Sequence, residues 1–112
     1  MIKWFKIADN EEDIIVAENS IAVIEVNGKK ICLTKHGNDW HAFAYKCPHA
    51  SGIMADGYID GLGNVVCPVH RYKFNLKNGR NTSGEGYYLK IYQLERKDDG
   101  IYVGMESGFL SF

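Results

Sequence analysis

Along the chain, short apolar runs are broken every few residues by turn-forming or charged ones, and their alternation has the period of strands. Residues 21–26 and 29–34 flank Asn27-Gly28, a strong short-range signal for a two-residue hairpin. Closing the chain there sets a register. Val26 faces Lys29, Glu25 faces Lys30, Ile24 faces Ile31 and Val23 faces Cys32. Glu25 and Lys30 then share one face, while Ala22, Ile24, Ile31 and Leu33 line the other. His36-Gly37-Asn38-Asp39 predicts a second turn, and residues 40–45 a third strand. Residues 3–8 read as an edge strand, 9–13 as a solvated acidic connector, and 14–17 as too short to separate strand from helical turn. Further on, residues 65–66 and 72–76 form a hairpin closed by Asn78-Gly79. Residues 88–95 and 101–105 form another around Asp98-Asp99-Gly100. No long amphipathic helix is predicted. Strands at short spacing between turns argue an all-β antiparallel sandwich or barrel.

The 112 residues suit one domain, residues 1–112, with no repeats, linker or low-complexity tract. A net charge of −1 gives no electrostatic case for nucleic acid or an anionic membrane surface. No apolar run is long enough to span a bilayer. The lysines within residues 2–7 interrupt any signal-peptide core, so a cytoplasmic location is expected.

Chemistry concentrates in one stretch. Cys47-Pro48-His49 is followed by seventeen residues and then Cys67-Pro68-Val69-His70. Thiolate with imidazole suits zinc or an iron–sulfur centre and disfavours magnesium or calcium. A common zinc finger pairs Cys with Cys and then His with His. Here each cluster mixes the two types, as suits a dinuclear centre with two cysteines on one iron and two histidines on the other. Cys32, the third cysteine, reads as a small buried hydrophobe, which leaves no intramolecular disulfide if the other two are ligands.

The pattern Cys-x-His followed by Cys-x-x-His resembles the Rieske family, specifically within residues 47–74 and in strand order over most of the chain. The resemblance implies a small cluster-binding subdomain, about residues 46–75, inserted in a β base. It implies a [2Fe–2S] cluster with Cys47 and Cys67 on the inner iron and His49 and His70 on the outer iron. Backbone amides near residues 50–52 and 71–72 would donate to its sulfurs.

High-potential members carry an extra cysteine in each ligand loop, joined as a disulfide; Gly52 and Val69 stand at those positions. Their sulfur-bonding serine and tyrosine are matched by Tyr72 and Phe74, and Phe74 has no hydroxyl to donate. The implied potential is at the low end, about −150 to −50 mV. Two further departures are Arg71, where a glycine commonly follows the last ligand, and Gly84-Glu85-Gly86, where a proline-bearing loop is usual.

The chain thus looks like a Rieske ferredoxin, a one-electron carrier between a flavin-dependent reductase and a terminal oxygenase or other oxidoreductase. It would not itself be an enzyme. The alternatives are a small subunit of a larger oxidoreductase, such as a nitrite reductase-like complex, and a zinc-stabilised binding module. A full oxygenase would need a further mononuclear iron site.

Beyond the four ligands, Arg71 could steer an acidic partner. His36 and His41 read as surface residues, Met54 as packing, Trp4 and Trp40 as core aromatics, and residues 108–112 as an apolar tail packing on the sheet or a second subunit.

Overall fold

A computed structural model describes residues 1–48, 51–83 and 86–106. Among them run nine strands. They are β1 (Ile2–Ala8), β2 (Ile21–Val26), β3 (Lys29–His36), β4 (Asp39–Ala44), β5 (Tyr58–Ile59), β6 (Asn64–Val66), β7 (Lys73–Asn75), β8 (Ile91–Lys97) and β9 (Gly100–Glu106). The helical content of the described residues is two three-residue 3-10 turns, Glu11–Asp13 and Met54–Asp56. The all-β expectation holds. Six strands form an antiparallel sheet in the order β1-β9-β8-β4-β3-β2, and β5-β6-β7 form a smaller one. The edge strands β1 and β2 approach each other, so the large sheet curls into a half-barrel.

The β2–β3 hairpin has the expected register, from Val26 opposite Lys29 to Ile24 opposite Ile31. Asn27 and Gly28 both take positive φ, 53° and 80°, as a two-residue turn matched to strand twist requires. Residues 31–34 are all buried, because β3 is a central strand covered on both faces. Ile31 and Leu33 join Ala22, Val26, Ala42, Tyr92, Val103 and Met105 in a core inside the curl. Cys32 points the other way, into a second core with Ile21 and Phe43 from the large sheet, Val65 and Phe74 from the smaller one and Leu76 just after it. Thr34, fully buried, donates its hydroxyl to the Ser20 carbonyl at 2.7 Å.

The second core fixes the smaller sheet on the larger one, and polar contacts add to it. Asn19 donates to the carbonyls of Ala55 (2.7 Å) and Gly57 (2.9 Å). Gly57 packs so closely on β6 that a β-carbon there would meet the Val66 carbonyl oxygen at 1.9 Å.

Several expectations change. The acidic connector is not merely solvated: Glu11 pairs with both Lys35 and Arg96, tying it to β3 and β8. These partners hold the Glu11 carboxyl below its usual pKa. Trp4 is only half-buried, lying over Gly104, where no side chain intervenes. The last hairpin begins at Ile91, not Tyr88, because the chain first crosses back through an isolated Arg80–Tyr88 bridge. β1 pairs with β9 from Ile2↔Glu106 to Ala8↔Ile101, a contact between chain ends for which no local pattern codes. The expected apolar tail, residues 108–112, lies outside the described residues.

Candidate metal centre

The two Cys-Pro clusters sit in two loops closed by the same hydrogen bond. Cys47 N–H donates to the Gly52 carbonyl at 2.9 Å, and Cys67 N–H donates to the Tyr72 carbonyl at 2.9 Å. Below the first loop, Met54 N–H reaches the Tyr45 carbonyl at 2.7 Å and Lys46 bridges Ile53, so the loop continues from the end of β4. Below the second, Val66 faces Lys73 in the β6–β7 ladder. Both cysteines therefore stand at the last rung of a strand pair, held there by backbone bonding.

This brings together Cys47 and Cys67, which are twenty residues apart in sequence. Their side chains are buried, 6% and 0% exposed, and adjacent to each other. Burial pushes the Cys67 thiol up to about 11. The Val69 N–H, donating to the sulfur, opposes the rise, and the adjacent Cys47 thiol adds to it. A thiolate here is disfavoured until a cation shares the site, and a coordinating metal deprotonates thiols outright. Two soft donors held side by side under a backbone N–H fit one metal of an iron–sulfur centre. Among the described residues, no group of three or more His, Cys, Asp or Glu is placed to hold a metal ion.

Gly52 is part of this construction. A β-carbon on it would lie 2.8 Å from the Cys67 sulfur and 3.0 Å from Val69 Cγ2. Gly52 and Val69, the positions matched to the family's disulfide, do face each other across the two loops, and the valine side chain fills that contact.

His70 is exposed at the tip of the second loop, while His49 lies outside the described residues. His70 and Arg71 both take left-handed backbone, φ 65° and 56°. That explains why glycine is at home at the Arg71 position: only glycine adopts this conformation without steric cost. Nothing in the sequence signals it, since histidine and arginine are unusual there. The His70 ring lies 6.4 Å from Tyr72, which lies 6.5 Å from Tyr87. No local sequence signal marks Tyr87, because its approach to Tyr72 is a contact between residues fifteen positions apart. Phe74 is fully buried in the same core as both cysteines, as is Met54.

Cys32 stays apart from the pair as a buried hydrophobe, its thiol pushed up to about 12, chiefly by burial and then by Asp56. His36 and His41 are half-buried rather than on the surface. His36 packs against Gly63, and His41 donates to the Leu76 carbonyl, so both join the large sheet to residues flanking the smaller one. Trp40, expected in the core, is half-buried like Trp4 and packs against the edge of the base core.

A family model for the Rieske [2Fe-2S] domain matches residues 3–90. The ferredoxin component of the naphthalene 1,2-dioxygenase system of Pseudomonas putida is 30% identical over 79 residues, covering 70% of this chain and 72% of that one. The ferredoxin component of the alkene monooxygenase system of Xanthobacter autotrophicus is 24% identical over 89 residues, covering 80% and 73%. Among solved structures, the ferredoxin of carbazole 1,9a-dioxygenase from Nocardioides aromaticivorans IC177 has the same fold. Its TM-score is 0.73 at 18% identity, covering 89% of this chain and 95% of that one.

Proposed function

The chain belongs to the Rieske [2Fe–2S] domain family, and from that premise we propose that it is a one-electron carrier whose cluster is held by Cys47, His49, Cys67 and His70. A [2Fe–2S] cluster supplies reversible one-electron chemistry when bound, so the chain needs no catalytic residue of its own. The observation that carries the reading is the buried Cys47–Cys67 pair, held by two loops of matching closure. Cys47 and Cys67 take the inner iron. His49 and His70 take the outer one, and His70 is exposed where a partner can approach.

The chain's own groups set the potential. Val69 N–H donates to the Cys67 sulfur, which favours added negative charge. Phe74 donates nothing, and no disulfide ties the loops, since all three cysteines are free. A midpoint at the low end of the Rieske range follows, about −150 to −50 mV. The ferredoxin components of oxygenase systems among its relatives support the roles of carrier and of a terminal oxygenase as acceptor; the donor in this reading is a flavin-dependent reductase. No helix of the described residues is long and apolar enough to cross a membrane, which is in keeping with a cytoplasmic carrier.

The test is an optical and electron-paramagnetic-resonance spectrum of anaerobically purified protein, before and after dithionite. A coloured protein with a reduced signal of low average g, about 1.9, is expected for mixed Cys and His ligation. A colourless zinc protein that cannot be reconstituted with iron and sulfide overturns the reading. His49→Cys is expected to keep a cluster and lower its potential.

A further inference from the structure

Beside the first ligand loop lies a groove of about 660 Å³ that the electron-transfer site does not use. It opens where the tip of the β2–β3 hairpin meets the end of β4 and the start of β8. Its rim carries Lys29, Lys30, Lys46 and Lys90, with Glu25 the one acidic group. Its floor is apolar, made by Ala44 and the rings of Tyr45 and Tyr92. Lys30 Nζ lies 5.2 Å from the centre of the Tyr45 ring, and Lys90 Nζ 5.8 Å from that of Tyr92.

The charge arrangement is unusual for this molecule. The chain has more acidic than basic side chains, 14 against 13. Elsewhere Lys6, Lys35 and Arg96 meet carboxylates. Among the described ion pairs, none includes the four groove lysines. Gathering four ammonium groups around an apolar floor costs mutual repulsion, which an anionic occupant relieves. Lys46 immediately precedes Cys47, so an occupant of the groove lies alongside the first ligand loop.

We propose that this groove docks an acidic, apolar-centred segment of a redox-partner protein, a lateral anchor separate from the exposed His70 tip. The proposal rests on the electron-carrier reading. A protein segment fits because rim and floor demand two chemistries at once: carboxylates spaced for the four lysines, and an apolar side chain against Ala44 and the tyrosines.

The experiment uses the cluster-loaded full chain and a fluorescent peptide with aspartate and glutamate on both sides of a single leucine. Anisotropy is followed against salt. Binding is expected to weaken with salt, to fall about tenfold in Lys30→Glu, and to change less than about twofold in Lys3→Glu, which carries the same charge change on β1. Replacing the leucine by serine is expected to weaken binding as well. Equal losses in both lysine variants overturn the proposal, since the charge effect is then diffuse. Benzoate or inorganic phosphate binding as tightly as the peptide also overturns it, making the groove a small-anion site. No peptide binding in a chain that shows the cluster spectrum overturns the groove alone. A missing cluster spectrum overturns the carrier reading beneath it.

Discussion

Gly52 lies directly against the Cys67 sulfur: a β-carbon added to it would stand 2.8 Å from that atom and 3.3 Å from Val69 Cβ. In this chain, where Val69 fills the opposite side of the contact, the first ligand loop closes on the second with no room for a side chain at residue 52. Gly52→Ala must move the sulfur or the loop. Destabilisation of about 1–3 kcal/mol is expected, as for other overpacked cores, together with reduced iron per chain. Iron analysis and urea unfolding measure both. Full iron content at wild-type stability would contradict this account of the loop.

Arg71 has φ 56° on the exposed tip beside His70. Left-handed backbone costs an L residue about 1–2 kcal/mol, while glycine's larger unfolded-state entropy offsets part of any gain. Arg71→Gly is expected to raise stability by roughly 0.5–1 kcal/mol, read as a higher urea midpoint. A lower midpoint would show that contacts of the arginine outweigh its backbone strain.

Much of this was legible locally. Asn27-Gly28 specifies the β2–β3 register residue by residue, and the Cys-Pro spacing marks both ligand loops. What could not be read was long-range or steric. Pairing of β1 with β9 joins residues about a hundred positions apart, with no pattern of its own. Residues 31–34 break strand alternation because two cores meet across β3, which a single-face reading cannot anticipate. His36 and His41 looked exposed because the subdomain that covers them comes later in sequence. The roles of Gly52, Asn19 and Tyr87 likewise depend on how two loops and a subdomain meet.

Phe74 is fully buried in the core that also holds Cys47 and Cys67. Phe74→Tyr adds one hydroxyl to that core with little change of shape. A donor near the sulfurs stabilises the more negative reduced centre, so the midpoint is expected to rise by tens of millivolts. Protein-film voltammetry measures it. An unchanged midpoint with the spectrum intact would show that the hydroxyl does not reach the sulfurs.

His41 links base and subdomain, facing Thr34 across β3–β4 and donating to the Leu76 carbonyl. Burial holds its pKa below the usual 6.5; Asp39 and the Leu76 carbonyl oppose this, while His36 and Lys77 add to it. The folded chain therefore keeps His41 neutral in a pH range where the unfolded chain protonates. Its contribution is fully present above about pH 6.5 and is lost as pH falls through the lower folded value. His41→Gln removes the titration. Between about pH 7.5 and about pH 5, the wild type is expected to lose more stability than the variant, and the difference cancels groups common to both. Urea midpoints at the two pH values decide it: parallel losses would mean that His41 titrates alike in folded and unfolded chains.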